Sequence, residues 1–588
     1  MAARISAFCH VGRGYSDATM EHAVFGARLD QKTGRSFMMA RPVLNARTMA
    51  FLLAILVTVL MNASTFRIAG GVFQAHPDDV WRLMAGLFLV HAALFVSLTF
   101  PLVFKPVAAF LVIGAAVASY FMDAFGTIID KDMIVNAATT THTEAKHLIT
   151  PDFAFHVLLY GILPVALLFW VKRKKTRFWR DVAINIPLIL VMLVGAGALI
   201  FSDYAAFSSA FRERKDLVFA LNPIGPSYAI VKYVKQAQGE ANIVVQPIGE
   251  DAHPGPFLAG ADKPVFLVLV VGETLRAQNV GLNGYERQTT PELAGINPLY
   301  FPNTTSCGTA TAVSMPCMFS MYGREDYSDL RGLDHENLLD VLHRAGFDIE
   351  WWDNNTGDKK IAARFPSSIL THSADPAYCD ADECNDGIFL DRLKKRMEDA
   401  RQNTVLVMHQ IGSHGPAYFK RYPPEFEEYK PACQSAQFSD CTSDEIRNAY
   451  DNTVLYTDHI LAEFIRLQEA QSDHLLTGLV FASDHGESLG EDGLYLHGAP
   501  YFIAPDTQTH VPFLAWFSPE FRKELGLDET CLRGKAGVPA SHDNFFHSVL
   551  GAVDVATGVR DAALDLFGTC RTGTDAVQSA KAPGASAQ

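Results

Sequence analysis

The stretch Phe481-Ala-Ser-Asp-His-Gly-Glu487 closes an apolar run that starts at Leu475. The run from Leu475 to Ala482 predicts a strand buried on both faces, and it stops at Asp484-His485-Gly486. A carboxylate and an imidazole therefore follow one another at the carboxyl end of a strand, the edge where ligands bind in open α/β sheets. A lone Asp-His-Gly is most often a turn, so the prediction of a functional site depends on the residues at other strand ends.

Other apolar runs predict further strands of the same sheet. Helical patterns alternate with them from residue 263 to 570, which predicts an α/β domain with a largely parallel sheet. Glu273 follows the first run, and His409 and His414 follow the third, so all three are expected near Asp484 and His485. The runs are Val265–Val271, Asp348–Trp352, Thr404–Met408 and Val511–Phe517.

Carboxylates and histidines at successive strand ends predict a divalent metal site at the edge that Glu273, His409, His414, Asp484 and His485 share. His497 follows His485 by twelve residues and lies in Tyr495-Leu-His-Gly498. Mixed oxygen and nitrogen ligands suit zinc, with manganese as the alternative.

A hydroxyl-rich segment, Ser306 to Cys317, is the candidate source of a nucleophile. Gly308 would let the chain turn tightly into a helix N-terminus, where free N–H groups stabilise a phosphate. A metal would lower the pKa of a hydroxyl in this segment. Composition leaves Thr309, Thr311 and Ser314 open as the nucleophile.

The first third of the chain has the composition of a membrane protein. The 588 residues are 49% hydrophobic with a mean hydropathy of +0.10, and the apolar residues crowd 48–201. Five stretches approach the roughly 20 residues that cross a bilayer as a helix, which predicts a transmembrane domain over 48–202. The stretches are 48–66, 83–100, 102–122, 154–171 and 183–201.

Charge predicts the topology of these spans. The loop from Lys172 to Arg180 has six basic residues in nine, so it is expected in the cytoplasm with the basic segment 1–47, which we expect to be a disordered extension. Five spans then place everything after 202 on the other side. The net charge of −15 does not indicate a nucleic-acid-binding surface.

Eight of the nine cysteines lie after residue 300, which predicts disulfides in an oxidising compartment and agrees with that topology. The alternatives are reduced thiols or a zinc cluster, but the chain has no C-x-x-C pair. Residues 203–262 are predicted to form a connector at the membrane surface, and 571–588 a disordered tail. In the loop 123–153, Asn136, Thr140 and Glu144 follow an i, i+4, i+8 spacing, which by itself is typical of a solvated helix face.

Six stretches resemble motifs of the lipid A phosphoethanolamine transferases, the family that includes the mobile colistin-resistance enzymes. The resemblance runs from about residue 48 to 570. It implies five transmembrane helices in the bacterial inner membrane, followed by an alkaline-phosphatase/sulfatase-like α/β/α domain in the periplasm. The stretches are Val270–Arg276, Asn283–Pro291, Ser306–Thr311, Met315–Ser320, His414–Lys420 and Ser483–Gly490.

The resemblance also implies a reaction and a site. Thr311 would take phosphoethanolamine from phosphatidylethanolamine as a phosphothreonine and pass it to a lipid A phosphate. One catalytic zinc would be bound by Glu273, Thr311, Asp484 and His485. The substrates or a second zinc would be contacted by His414 and His497, with His409 nearby and Lys359 on the phosphate. The lipid head group would lie against Asn136, Thr140 and Glu144, which replaces the solvated-face interpretation.

The resemblance implies the disulfides Cys307–Cys317 and Cys433–Cys441. We further expect Cys379–Cys384, with Cys531–Cys570 as the remaining pair, and a monomer. Two alternative functions stay open: a sister transferase acting on lipopolysaccharide core sugar or periplasmic glucan, and a non-catalytic membrane protein that keeps the fold. The motif of a plain sulfatase, Cys or Ser followed by x-Pro-x-Arg, is absent around Cys307.

Overall fold

A computed structural model of the protein describes residues 41–572, apart from 75, 141, 241–242, 372, 374 and 381–382. Most of the predicted extension 1–47 and of the predicted tail 571–588 therefore lies outside the described residues. The predicted tail is wrong at Arg571, which is buried and whose Nε lies 3.2 Å from Asp554 Oδ1.

The described membrane part contains four helices long and apolar enough to span a bilayer, and a bent pair of helices counts as a fifth. These spans agree with the predicted ones, and the fourth span is made continuous by a π-helical stretch, 157–162. A two-residue parallel strand pair, β1 with β2, joins the start of the first span to the end of the fourth. The elements are β1 (Val43–Leu44), α1 (Ala46–Leu60), α2 (Ala63–Val72), α3 (Pro77–Ser97), α4 (Phe104–Ala124), α5 (Lys131–Thr139), α6 (His142–Leu148), α7 (Pro151–His156), α8 (Leu163–Trp170), β2 (Lys172–Arg173) and α9 (Phe178–Phe201).

The first predicted span, 48–66, is not one straight helix. It breaks after Leu60, and α1 and α2 meet at 57°. The cause is Asn62, whose Nδ2 donates to the Val57 carbonyl (2.9 Å) and to the Asn222 carbonyl (2.8 Å). A buried amide that bonds to backbone groups competes with regular helix and bends it.

The predicted single helix face of Asn136, Thr140 and Glu144 is also wrong. α5 ends at Thr139, Thr140 is extended, and α6 starts at His142. The Thr140 hydroxyl donates to the Asn136 carbonyl (2.8 Å), and three consecutive β-branched threonines disfavour helix continuation. The side chain of Glu144 lies outside the described part of the structure.

An eight-stranded sheet forms the centre of the second domain, in the order β13-β5-β12-β9-β4-β8-β6-β7. The central strands β4, β8 and β9 are buried along their whole length, as their unbroken apolar runs predict. The strands are β3 (His253–Pro254), β4 (Val265–Gly272), β5 (Leu299–Thr305), β6 (Asp348–Asp353), β7 (Ser367–Ile369), β8 (Thr404–His409), β9 (Leu476–Ser483), β10 (Ser488–Leu489), β11 (Tyr495–Leu496), β12 (His510–Phe517), β13 (Ala540–Ser541) and β14 (Val555–Ala556).

Strand direction decides which residues meet at one edge. β4, β6, β8 and β9 run parallel, so their carboxyl ends share an edge. β12 is antiparallel to β9, which corrects the expectation that it continues the parallel set, and β5 is antiparallel to β12. β5 therefore runs with the parallel strands and brings the segment after Thr305 to the same edge.

Helices cover both faces of this sheet, giving three layers with two hydrophobic cores. Ile248 and Leu258 belong to one core, so the predicted connector 203–262 is too long at its C-terminal end. The helices are α10 (Tyr204–Glu213), α11 (Lys215–Phe219), α12 (Ile224–Glu240), α13 (Pro256–Ala259), α14 (Pro291–Ile296), α15 (Thr311–Met318), α16 (Asp329–Leu333), α17 (Leu338–Arg344), α18 (Leu390–Glu398), α19 (Ser443–Glu469), α20 (Asp506–Thr509), α21 (Pro519–Glu524), α22 (Glu529–Lys535) and α23 (Asp543–Ala552).

Four disulfides brace the loops around this domain, and all four predicted pairings are confirmed. They are Cys307–Cys317, Cys379–Cys384, Cys433–Cys441 and Cys531–Cys570.

Candidate metal-dependent active site

Three side chains from two neighbouring strands converge at the carboxyl edge of the sheet. Glu273 follows β4, while Asp484 and His485 follow β9, and one ligand atom of each lies within 4.8 Å of the others. All three are almost completely buried. This is the convergence that the strand ends predict.

The pKa values of the two carboxyl groups are shifted by burial, by each other and by the neighbouring histidines. Burial opposes ionisation of Glu273, but His409, His485 and His414 lower its pKa well below the ordinary value. Burial and the charge of Glu273 raise the pKa of Asp484. Two buried carboxylates in contact are costly unless a cation offsets them.

The residues present fit a metal ion. Asp484 Oδ2 is buried and has no hydrogen-bond partner among the described residues. A carboxylate oxygen orphaned beside a second carboxylate and an imidazole is the donor set that zinc uses.

Thr311 lies against this group. Its Oγ1 is 3.1 Å from Glu273 Oε2 and 3.3 Å from His485 Nε2. The other two candidate hydroxyls point elsewhere: Thr309 donates to the Ala499 carbonyl (2.6 Å), and Ser314 donates to the Asp484 carbonyl. The geometry thus separates three hydroxyls that composition alone leaves equivalent.

Local sequence explains how Thr311 reaches this position. Thr311 is the first residue of α15, and the loop before it crosses the helix closely at Gly308. A Cβ at Gly308 would lie 3.0 Å from the Ser314 nitrogen, so glycine allows this approach. The Cys307–Cys317 disulfide ties the loop to the helix. The predicted helix N-terminus is confirmed, and it places free N–H groups beside the hydroxyl.

His409 lies at the end of β8, beside the candidate metal ligands. Its Nδ1 is 2.9 Å from Asp353 Oδ2, and its Nε2 is 3.8 Å from Glu273 Oε2. Burial disfavours the imidazolium, but Asp353 and Glu273 raise the pKa of His409 to about 10. Lys359 follows β6, and its Nζ donates to the Thr356 carbonyl (2.9 Å), so its role on a phosphate stays a prediction.

His414 and His497 line the site on its other side. The ring centroids of His485 and His497 are 4.5 Å apart, and those of His414 and His497 are 5.5 Å apart. Three histidines therefore form a continuous row from the candidate metal ligands outward.

Sequence reasoning missed several residues that hold this site in place. Asn355 Nδ2 donates to Glu273 Oε2 (2.6 Å). Glu487 Oε2 accepts from His497 Nδ1 (2.9 Å), and its Oε1 accepts from the Tyr418 hydroxyl (2.6 Å). Their only signal in the sequence was position, since Asn355 lies two residues after the end of β6 and Glu487 four residues after the end of β9.

His542 is a further residue without a sequence signal. Its Nε2 donates to the Ser483 carbonyl (2.9 Å), and its Nδ1 accepts from the Cys307 N–H (3.1 Å). It thereby connects the nucleophile loop to the end of β9 from a position 235 residues further along the chain.

A cavity of about 380 Å³ opens from His414 and His497 toward the membrane helices. Most of its lining is apolar, and it is shared between the two domains. The membrane side includes Val117 and Phe121 of α4, and Asn136 and Thr140 lie in its wall.

Comparison with known proteins agrees with this architecture. Residues 266–555 match the sulfatase family model, and residues 87–238 match the model described as phosphoethanolamine transferase EptA/EptB. The fold and the site therefore define a membrane-anchored enzyme with a sulfatase-like α/β domain.

Relatives of known activity narrow the class. The chain is 38% identical to phosphoethanolamine transferase EptA of Escherichia coli K12, covering 91% of this chain and 98% of that protein. It is 37% identical to phosphatidylethanolamine transferase Mcr-1 of Escherichia coli, over 70% and 78% of the two chains. The solved structure of the integral membrane lipooligosaccharide phosphoethanolamine transferase EptA of Neisseria meningitidis matches with a TM-score of 0.86 and 34% identity, over 90% of this chain and 99% of that one. The chain belongs to the EptA/EptB family of phosphoethanolamine transferases.

Proposed function

We propose that the protein transfers phosphoethanolamine from phosphatidylethanolamine to a phosphate group of lipid A, with Thr311 as the covalent carrier. The observation that carries the proposal is the cavity that runs from His414 and His497 to the membrane helix α4. A lipid can keep its acyl chains against apolar α4 while its phosphate reaches the histidine row. A water-soluble donor without acyl chains would gain no binding energy from that apolar wall.

Glu273, Asp484 and His485, together with Thr311, would hold a zinc ion. When bound, the ion supplies positive charge that lowers the pKa of the Thr311 hydroxyl and offsets charge on phosphoryl oxygens. The buried carboxylate pair and the orphaned Asp484 Oδ2 support this assignment.

The reaction has two displacement steps. Thr311 Oγ1 forms a bond to the donor phosphorus while the bond from phosphorus to the diacylglycerol oxygen breaks, and that oxygen recovers the proton that Thr311 gives up. In the second step a lipid A phosphate oxygen bonds to the same phosphorus while the bond from phosphorus to Thr311 Oγ1 breaks, and Thr311 Oγ1 recovers the proton that the attacking phosphate gives up. The N-terminus of α15 faces the phosphoryl group in both steps and stabilises its charge.

The chain's own residues position the reacting groups. Asn355 holds one Glu273 oxygen, and Glu487 holds the His497 ring with its proton at Nδ1, so Nε2 is the basic nitrogen of the neutral ring. His497 can then accept or return a proton at the substrate oxygens. The topology that the basic loop Lys172–Arg180 predicts places this chemistry in the periplasm, with the spans in the inner membrane.

Peptide mass spectrometry after incubation with phosphatidylethanolamine tests the proposal. We expect a phosphoethanolamine adduct on Thr311, together with released diacylglycerol. Thr309→Ala is the matched control, because it removes a hydroxyl from the same loop that bonds to the Ala499 carbonyl instead. The adduct should persist in Thr309→Ala and be absent in Thr311→Ala.

Lipid analysis of cells with and without the protein identifies the acceptor. Lipid A that gains phosphoethanolamine supports the proposal. An unchanged lipid A with a modified core sugar or periplasmic glucan would instead assign the sister activity. An adduct on a residue other than Thr311 would overturn the assigned nucleophile.

A further inference from the structure

A second cleft, of about 540 Å³, lies at the opposite end of the membrane helices from the active site. α4 has 21 residues, or about 31 Å of helix, and Lys105 is its second residue. At the other end of α4, Phe125 packs on Phe438 of the catalytic domain, with ring centroids 6.2 Å apart. Lys105 and the cleft therefore lie about one membrane thickness from the catalytic domain, at the other face of the bilayer.

The cleft combines apolar walls with cations. Phe169 and Leu102 are 51% and 95% exposed, and such side chains at the end of a membrane span face acyl chains. Lys105, Arg173 and Lys175 line the same cleft. A site built in this way matches the two parts of a lipid at the boundary between acyl chains and head groups.

Positive charge at the cleft exceeds what nearby carboxylates offset. Asp181 is shared, since its oxygens lie 2.9 Å from Arg47 and 3.6 Å from Arg173. Lys105 Nζ donates to the Val171 carbonyl (2.6 Å) at the end of α8, which holds the ammonium at the cleft wall. Within the described part of the chain, no carboxylate lies within ion-pair distance of Lys175.

We propose that this cleft binds the phosphate of an anionic glycerophospholipid from the leaflet that faces away from the catalytic domain. Lys175 and Lys105 would contact the phosphate, and Phe169 and Leu102 would contact the first part of the acyl chains. Basic pockets between membrane helices at this depth suit anionic head groups. The exposed Phe169 and Leu102 favour a lipid over a free phosphate ion, because the ion would gain nothing from them. This site is separate from the cavity proposed for the donor lipid.

Native mass spectrometry of the full-length protein with added phosphatidylglycerol tests this site. Lys175→Gln is compared with Lys174→Gln, which removes the same charge from the neighbouring exposed position outside the cleft. We expect Lys175→Gln to weaken binding of one phosphatidylglycerol by about fivefold, the effect of roughly one surface cation, and Lys174→Gln to leave it unchanged. Phosphatidylcholine, which has no net charge, should bind this site weakly in all three proteins.

Two outcomes would overturn the proposal. Equal weakening by Lys174→Gln and Lys175→Gln would mean that the basic loop attracts anionic lipid diffusely, without a defined site. Displacement of the lipid by inorganic phosphate would mean that the cleft recognises a free anion. Unchanged thermal midpoints of both variants verify that any loss of binding is not a loss of folding, because both lysines are exposed.

Discussion

Glu487 fixes the direction in which His497 presents its ring. The carboxylate is completely buried, and its two oxygens accept from His497 Nδ1 and from the Tyr418 hydroxyl. An anion held on both sides cannot rotate freely, so the imidazole it binds is held as well. Removing a residue that holds a reacting side chain in this way typically lowers activity by 10–100-fold.

Glu487→Gln is therefore expected to lower kcat by about 10–100-fold with a smaller change in KM, because an amide can place its NH₂ group toward His497 and turn the ring. Steady-state kinetics of phosphatidylethanolamine turnover measures the changes in kcat and KM separately. Asp492→Asn is the matched control, an acid-to-amide change on the same hairpin at an exposed residue. Equal losses of kcat in both variants would contradict a specific role for Glu487.

His542 makes the stability of the nucleophile loop depend on pH. Burial lowers the pKa of His542 to about 4, although the Ser483 carbonyl opposes the shift, and an unfolded histidine titrates near 6.5. Between these two values the unfolded chain binds a proton that the folded protein excludes. The contribution to stability is thus complete above about pH 6.5 and declines as the pH falls toward 4.

We expect the loss from His542 to reach roughly 2 kcal/mol at pH 5. Thermal unfolding of the wild type and of His542→Asn at pH 7 and pH 5 measures it, since asparagine removes the titration and keeps an acceptor near the position of Nδ1. The difference in midpoint between the two pH values should be smaller in the variant. An unchanged pH dependence would show that other groups cause it.

The bend between α1 and α2 is the element that connects the first span to the chain entering the catalytic domain. Asn62 makes four buried contacts there: it donates to the Val57 and Asn222 carbonyls and accepts from the Asn222 N–H and the Thr65 hydroxyl. Water is scarce inside the membrane part, so few of these backbone groups could form a hydrogen bond to water in place of Asn62.

Asn62→Ala should lower the free energy of unfolding by about 1–3 kcal/mol for each backbone group left without a partner. Thermal unfolding of the full-length protein in detergent measures the effect. Asn283→Ala is the control, because this half-exposed amide has no side-chain hydrogen bond among the described residues. Similar midpoints for the two variants would contradict a structural role for the bend.

Among the elements, the sequence predicted the strands that form mainly through burial of a continuous apolar run. β4, β8 and β9 are unbroken apolar runs, and their order along the chain was enough to bring Glu273, Asp484 and His485 to one edge. β5 was missed because Pro302 and Asn303 interrupt its apolar pattern. Asn355, Glu487 and His542 were missed because their partners are distant in the chain, and no local pattern encodes a hydrogen bond across the sheet.

At the scale of the whole molecule, polar side chains of α5 and α6 attach the membrane part to the catalytic domain. Lys131 of α5 contacts Asp329 of α16 and lies 3.0 Å from Gln236 of α12. Burial opposes the ammonium, but Asp132 and Asp329 raise the pKa of Lys131, so it stays charged. On another side, Glu383 lies 2.7 Å from Arg421 and 3.8 Å from His147.

Lys131→Ala should loosen α5 from the catalytic domain, because one ammonium connects three separate elements. Hydrogen exchange is expected to speed up in α5 and α16 and to stay unchanged in β4 and β9. Lys235→Ala removes the same charge from an exposed position of α12 that has no ion pair among the described residues, and it should leave all four elements unchanged. Equal exchange in the two variants would contradict the predicted connection.

The cavity between His497 and α4 draws part of its wall from a helix that lies in the bilayer. A small inhibitor that fills it would therefore arrive by lateral diffusion after dissolving in the membrane. Its potency would follow its mole fraction in the lipid, so added empty vesicles would raise the apparent inhibition constant while the site itself stays the same. Candidate compounds for this pocket are best ranked by membrane concentration.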